Sequence, residues 1–156
     1  MGACPAAALL HEDLLRLREV PLPVGRQVLA HPVDLLHHEA HGGHTVLKHV
    51  GRPVAFLLRR QESLLPWKQS VSSFTSLEEA SRAVDRALAS ADVQADLDLW
   101  LSSPRPQTTV RVALPGLAGP VLDSLGKPVP ARDIVIKLVK GKDGAVLVLT
   151  ADLAGA

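Results

Sequence analysis

The chain contains almost no cysteine. Cys4 is the one cysteine among its 156 residues, so no disulfide framework can form within the chain. The fold must therefore be held together by a hydrophobic core, and a chain of this length is long enough to bury one. The near absence of cysteine would also suit work in a reducing cytosol.

Long apolar runs and an excess of one charge are also missing. No apolar run approaches the roughly 20 residues of a membrane-spanning helix, and the apolar residues 1–10 lack the basic residues that open a secretion signal. We therefore expect no membrane insertion. Lysine and arginine number 17 against 16 aspartates and glutamates, a formal net charge of +1. Any attraction to nucleic acid must come from a local patch, which protonated histidines would strengthen.

Motifs of several enzyme classes are absent. The chain has no Gly-x-Ser-x-Gly sequence, with which serine hydrolases present their nucleophile. Cys4 lies in a terminal segment that is poorly suited to hold a catalytic thiol. No Gly-x-x-x-x-Gly-Lys loop is present to bind nucleotide phosphates. These absences disfavour serine or cysteine hydrolases and nucleotide hydrolysis.

Histidine, in contrast, is concentrated in one stretch. Six of the seven histidines lie between His31 and His49, and the seventh is His11. With an unperturbed pKa of about 6.5, histidine gives and takes protons near neutrality, and it also binds metals. A histidine cluster beside fixed cations therefore indicates either acid/base chemistry or a metal site.

A metal site is the less favoured of these two. His37 and His41 are four residues apart, so they could share a metal from one face of a helix, with Glu39 or His44 as a further ligand. However, the stretch is not a His-Glu-x-x-His motif and has no paired cysteines to complete four ligands. A zinc-binding histidine cluster stays open as an alternative.

The glycine pair at residues 42–43 divides the histidine stretch. A helix is predicted to end there, and the next is predicted to begin at His44 or Thr45. His44 and His49 are five residues apart, about 140° around a helix, so both reach one atom only if His44 bends inward from the first turn. The apolar side of this helix is predicted from Val46, Leu47 and Val50.

Two more regular helices are predicted further along. The first begins after Thr75 and Ser76, which open two overlapping capping boxes, and its apolar residues continue at helical spacing to Leu88. The second covers about 93–101, where Trp100 is more consistent with the core than with a base-stacking surface.

The pattern changes to strands after Pro106. Alternating apolar residues predict strands over 108–114, 134–139 and 145–150, and a turn over 142–144 joins the last two. A shorter turn or hairpin is predicted near 124–127. Helices followed by strands predict an α+β domain with a mostly antiparallel sheet.

A front section precedes the main domain. Residues 1–32 are predicted to contain a helix over 6–20 followed by a proline-containing connector. The main domain is predicted over residues 33–156. The front section is either a linker from a carrier protein or an arm packed on the domain.

These motifs together resemble a known family. Gly-Gly-His-Thr at residues 42–45, His-Val-Gly at 49–51 and Arg60 are similar to the motif of the ribonuclease A-like toxin domain of bacteria. That domain lies at the C-terminus of contact-dependent growth inhibition toxins and other polymorphic toxins. The resemblance continues to a last strand at 148–151 and covers roughly residues 36–153.

The resemblance implies a ribonuclease A-like α+β fold without disulfides, and a metal-independent endoribonuclease that needs no cofactor. Such an enzyme would cleave single-stranded or transfer RNA by attack of the 2′-hydroxyl, leaving a 2′,3′-cyclic phosphate. The implied partner is a cognate immunity protein that plugs the active-site cleft, and the free domain would be a monomer. The chain would belong to a larger secreted toxin that acts in the cytoplasm of a target cell.

RNA cleavage of this kind needs a base, an acid and a cation beside the phosphate. Histidine suits proton transfer, and the planar guanidinium of arginine suits phosphate oxygens. The resemblance implies His49 as the catalytic histidine, His44 as its helper or alternative, Arg60 as the cation and Thr150 as a hydroxyl donor. His49 is expected to be solvated, so that His49→Ala removes cleavage and leaves the fold intact. Expected substrate contacts are Lys48, Arg59, Ser73 and Asp152.

Asp152 departs from the family pattern, which has a tyrosine two residues after the threonine. An anionic carboxylate beside a phosphate repels substrate unless it is protonated or turned away, so we expect Asp152→Asn to raise cleavage. The proton donor is then either His44 or absent in a weakly active copy. The departure also keeps open a catalytically silent interaction domain that retains the fold.

Overall fold

A computed structural model of the chain describes residues 12–27, 32–63, 69–141 and 143–155. Its named helices are α1 (Leu35–Ala40), α2 (Thr45–His49), α3 (Val54–Ser63), α4 (Leu77–Leu88) and α5 (Ala91–Leu101). Its strands are β1 (Val71–Ser72), β2 (Gln107–Ala113), β3 (Val121–Leu122), β4 (Pro128–Val129), β5 (Asp133–Lys140) and β6 (Val146–Ala154). Within these ranges, no helix has the length and apolar character that a membrane crossing requires.

The strands form two antiparallel sheets. The main sheet has the order β2-β5-β6, and a smaller sheet has the order β1-β3-β4. The predicted turn between β5 and β6 is present, and the Gly141 N–H donates to the Ala145 carbonyl at 2.8 Å there. The last strand is longer than predicted, since it continues to Ala154. Helices precede the strands of the main sheet, so the α+β prediction is confirmed.

The main sheet buries one of its two faces. Side chains alternate between the faces along a strand, and β5 accordingly has three fully buried residues, Ile134, Ile136 and Leu138. This face belongs to one core with α4 and α5, which contains Trp100 as predicted. The opposite face, called the outer face below, carries three half-buried polar side chains: Lys137, Thr150 and Asp152.

The histidine stretch closes the edge of β6 that does not pair with β5. Buried backbone groups need hydrogen-bond partners, and four groups of β6 find theirs in α1, α2 and β1. The pairs are Val148 N–H to His38 Nδ1 (2.8 Å), His44 N–H to Leu149 O (2.9 Å), Ala151 N–H to Thr45 Oγ1 (2.9 Å) and Leu153 N–H to Ser72 Oγ (2.9 Å). These bonds hold the histidines beside the strand that carries Thr150 and Asp152.

Gly43 permits this close docking. A Cβ at Gly43 would lie 2.8 Å from the Val148 carbonyl oxygen and 3.0 Å from that of His38, which is too close for either backbone to accommodate. Gly42 has a φ of +109°, a conformation that glycine adopts without strain. The predicted break between α1 and α2 is therefore confirmed, and the structure explains why glycine occupies both positions.

The buried side of α2 differs from the prediction. Leu47 is 59% exposed, whereas Thr45 and His49 are 2% and 4% exposed. The prediction of an apolar side with Leu47 is wrong because α2 packs on the backbone of β6, where a hydroxyl is needed as a hydrogen-bond acceptor. Val46 and Val50 are partly buried against the core, as predicted.

The described part of the front section contacts the domain. The Val20 carbonyl accepts hydrogen bonds from Nε2 of both His37 and His41 at 2.6 Å. Of the helix predicted over 6–20, residues 12–17 are helical, and the part before residue 12 lies outside the described residues. The described residues that follow this helix thus pack on α1 as an arm.

Candidate active site

His49 ends α2 and is enclosed by the protein. Its Nδ1 lies 3.5 Å from the Ser72 carbonyl oxygen, a distance at the limit of a hydrogen bond. Burial, and then the charge of Arg60, lower the pKa of His49 to about 4, so the ring is neutral at pH 7. A proton on Nδ1, facing Ser72, leaves Nε2 as the free base. The expectation of a solvated His49 is wrong, because Thr45 and His49 together form the buried side of the helix.

His44 is the N-cap residue of α2, as predicted for a helix that begins near Thr45. Its backbone N–H is bound to β6, but its side chain does not cap the helix. Burial lowers its pKa, and the nearby cations Lys48, Arg60 and Lys137 lower it further. Its Nδ1 is closed to solvent and has no hydrogen-bond partner among the described residues.

Arg60 is the cation that connects the site. It lies half-buried on α3 beside the buried residues Leu57 and Gln61. Its positive charge lowers the pKa of His44, His49 and Asp152. Arg59 is exposed on the same helix and is not among the charges that shift these three pKa values. The structure therefore brings Arg60, and not Arg59, to the histidines.

Asp152 lies on the outer face of the main sheet. Burial raises its pKa to about 6, although the nearby cations Arg60, Lys137 and Arg111 act in the opposite direction. Thr150 pairs with Lys137 in the strand register, and Asp152 pairs with Val135 two positions further along. The prediction that Thr150 and Asp152 share a face is thus confirmed.

The environment reverses the usual order of the pKa values of His49 and Asp152. The ordinary values are 6.5 for histidine and 3.8 for aspartate, whereas here His49 is lowered to about 4 and Asp152 is raised to about 6. Between these two values, the histidine is a free base while the carboxyl holds a proton. Titratable groups whose environments separate their pKa values in this way are candidates for a general base and a general acid.

Ser73 does not reach this site. Its side chain is fully buried, and its Oγ accepts the Arg52 N–H at 2.8 Å and donates to the Phe74 carbonyl at 3.1 Å. The expectation that Ser73 contacts substrate is therefore wrong, because both hydrogen-bonding functions of the hydroxyl are used within the fold. Lys48 is exposed near the site, where its charge lowers the pKa of His44 and of His49.

The remaining histidines and Glu39 have other partners. His38 is 3% exposed, and burial lowers its pKa to about 4. The Glu39 carboxylate accepts the Val46 N–H at 2.7 Å and so caps α2. Among the described residues, no group of three or more histidine, cysteine, aspartate or glutamate side chains could hold a metal ion. A cavity of about 430 Å³ between the front section and the β5–β6 turn contains no residue of the site.

The positive charge of the site comes from fixed cations. The pKa values of His38, His44 and His49 are all lowered, so these three histidines do not strengthen a positive patch near pH 7. Lys137, which acts on both His44 and Asp152, was missed at the sequence level. Pairing the two predicted strands across the turn at 142–144 would have placed it near Thr150.

The fold and the site together define an α+β domain in which one arginine, Arg60, lies near both a buried histidine, His49, and a carboxyl, Asp152. The family model described as the bacterial CdiA-CT RNAse A domain matches residues 43–151. The chain belongs to this family, since the match covers more than half of its length. No curated protein sequence matches the chain.

A solved structure supports the fold. It is described as the crystal structure of a CdiA-CT/CdiI complex from Y. kristensenii 33638. The similarity has a TM-score of 0.61 at 21% identity, and covers 72% of this chain and 99% of that one. The ribonuclease A-like fold expected from the resemblance is thus confirmed.

Proposed function

We propose that the chain is the ribonuclease domain of a bacterial toxin and cleaves RNA without a metal ion. The observation that carries this proposal is the pair His49 and Asp152 in a member of the RNAse A domain family. Between pH values of about 4 and 6, a neutral histidine and a protonated carboxyl coexist beside Arg60. These are the groups that transphosphorylation requires.

In the proposed reaction, His49 Nε2 removes the proton of the 2′-hydroxyl, and the 2′-oxygen attacks the neighbouring phosphorus. The bond between phosphorus and the 5′-oxygen breaks, and the Asp152 carboxyl gives its proton to that oxygen. The products are a 2′,3′-cyclic phosphate and a 5′-hydroxyl. Arg60 pairs with the phosphate oxygens through its guanidinium, and the Thr150 hydroxyl donates a hydrogen bond to one of them.

Three other residues complete the proposed site. His44 is the second candidate for the proton donor, because Arg60 and Lys137 lie near its ring. Its lowered pKa makes it less suited than Asp152. The exposed cations Lys48 and Arg59 attract the RNA backbone, whose phosphates dominate such binding.

The family points to a role in competition between bacteria. We propose that a larger secreted toxin delivers this domain to the cytoplasm of a target cell, where it cleaves single-stranded or transfer RNA as a monomer. The solved relative is a complex with CdiI, which supports a cognate immunity protein as the natural partner. A catalytically silent interaction domain is the second candidate, and the aspartate in place of the family's tyrosine favours it.

RNA cleavage in excess chelator tests the proposal. Purified protein should convert single-stranded RNA and total transfer RNA to fragments that end in 2′,3′-cyclic phosphate. His49→Asn should be inactive, although asparagine keeps a donor for the Ser72 carbonyl. His41→Asn is the matched control, since His41 contacts the Val20 carbonyl instead. Dependence on a divalent cation, or 5′-phosphate ends, would refute the mechanism.

A further inference from the structure

Lys137 lies in the middle of the outer face of the main sheet. Its strand, β5, is central, and the register places Lys137 opposite Thr109 of β2 and opposite Thr150 of β6. Residues directly opposite one another in an antiparallel pair have Cβ atoms about 4.5–5.5 Å apart. Lys137 and Thr150 are therefore immediate neighbours, with Asp152 one position further along the same face.

A strand irregularity occurs at this lysine. Lys137 pairs with Thr150, whereas Leu138 pairs with Val148, so Leu149 is an extra residue in β6. The carbonyl of Leu149 accepts the His44 N–H at 2.9 Å. Bulges of this kind often lie beside active sites, where they change the direction of side chains. One irregularity thus brings together the backbone of His44, the side chain of Thr150 and that of Lys137.

The charge of Lys137 has no fixed partner in the described part of the chain. Neither a hydrogen bond nor a salt bridge joins its Nζ to another described residue, although the side chain is half-buried. Arg111, another cation that acts on Asp152, is engaged instead, since it pairs with Asp133 at 2.6 Å. A half-buried ammonium with no hydrogen bond to the described residues can receive an anion that binds from solution.

We propose that Lys137 is a catalytic residue that contacts a non-bridging oxygen of the scissile phosphate, opposite Thr150. The proposal rests on the proposed ribonuclease function. A phosphodiester carries one negative charge, and attack by the 2′-oxygen gives a pentacoordinate phosphorus with two. Arg60 balances the first charge, and Lys137 balances the one that develops during attack. An electrostatic contact of this type accelerates the reaction because it strengthens in the transition state.

Lys137 also affects the proton donor. Three cations on three elements face Asp152, namely Arg60 on α3, Arg111 on β2 and Lys137 on β5, and each opposes the rise of its pKa. Loss of Lys137 therefore raises the pKa of Asp152 further. The limb of the pH–rate profile that belongs to Asp152 should move to higher pH, and a residue with only a structural role would not move it.

The test compares Lys137→Met and Lys137→Arg with Lys127→Met. Lys127 is an exposed lysine that is not among the charges acting on His44, His49 or Asp152. We expect Lys137→Met to lower kcat by about 100-fold with a smaller change in KM, and Lys137→Arg to recover part of the loss. Lys127→Met should cleave like the wild type. A folded Lys137→Met protein that cleaves within about twofold of wild type would overturn the proposal.

Binding to a single-stranded 2′-deoxy oligonucleotide separates this proposal from the proposed function. The probe lacks the 2′-hydroxyl, so it is bound but not cleaved. Lys137→Met should reduce the slope of log Kd against log salt concentration by about 0.7, the loss of one phosphate contact to a single strand. An unchanged slope would contradict Lys137 as a phosphate contact, whether or not the wild type cleaves RNA.

Discussion

Three histidines in one short stretch have different tasks because their surroundings differ. His38 uses Nδ1 to accept a backbone N–H of β6, so its role is structural. His49 lies beside Arg60 and Ser72, and the proposed base is its other nitrogen. The His44 side chain has no partner among the described residues and lies among cations. Clustering in the sequence drew attention to this stretch, and burial distinguishes the surroundings of the three rings.

The choice between neighbouring arginines is testable. Arg60→Lys should lower kcat/KM at least tenfold, because an ammonium cannot replace the paired contacts of a guanidinium with phosphate oxygens. Arg59→Lys keeps its charge on the exposed side of α3 and should stay within about twofold of wild type. Steady-state cleavage of a short RNA measures both. The opposite ranking would show that the wrong arginine has been placed at the phosphate.

At the scale of elements, capping motifs and apolar spacing predicted the helices, but they did not predict how the helices contact the strands. Of the two overlapping capping boxes, Ser76 provides the N-cap and accepts the Glu79 N–H at 3.1 Å. This capping hydrogen bond joins residues that are only three positions apart in the sequence. The bonds from Val148 to His38 and from Ala151 to Thr45 join residues 110 and 106 positions apart. The spacing of apolar residues along the sequence does not reveal hydrogen bonds between such distant residues. Neither the burial of His49 nor the polar side of α2 was therefore predictable.

The docking of α2 on β6 depends on one hydroxyl. Thr45→Val removes the acceptor of the Ala151 N–H and keeps the shape of the side chain, so a buried donor is left unpaired. We expect a loss of about 1–3 kcal/mol in the free energy of unfolding, together with reduced cleavage as the histidines move. Thr45→Ser keeps the acceptor and is the control. Equal stability of these two variants in urea titrations would show that the bond does not hold the helix.

At the scale of the whole molecule, acid should weaken the fold. The unfolded chain binds protons at His38 and His49 below about pH 6.5, whereas the folded chain binds them only near pH 4. Stability therefore falls as the pH drops through this window. Asp152 contributes in the opposite direction between pH 6 and 3.8, because its folded pKa is raised. The lowered pKa of His44 adds to the first effect and the raised pKa of Glu39 adds to the second. The shifts of the two buried histidines are the larger ones, so the net effect of acidification is a loss.

We expect the free energy of unfolding to decrease by about 2 kcal/mol between pH 7 and pH 5. Urea titrations at the two pH values measure this difference. His38→Asn is the informative control, since its side-chain oxygen can still accept the Val148 N–H while the titrating group is removed. Its pH dependence should be much less than half as large, because the one remaining histidine is then largely offset by Asp152. Stability that is constant or greater at pH 5 would contradict the neutral, buried state of both histidines.

The central claim is that His49 and Asp152 are a base and an acid with reversed pKa values. Initial rates of RNA cleavage from pH 4 to pH 8, in excess chelator, test it most directly. We predict a bell-shaped profile with limbs near pH 4 and pH 6. Asp152→Asn should remove the upper limb and lower the maximal rate by about 100-fold or more. This reverses the expectation from the sequence, which took Asp152 as an anion that repels RNA, because the raised pKa of Asp152 lets its carboxyl hold a proton. Faster cleavage by Asp152→Asn at neutral pH, or a wild-type rate that rises to a plateau above pH 7, would contradict the assignment.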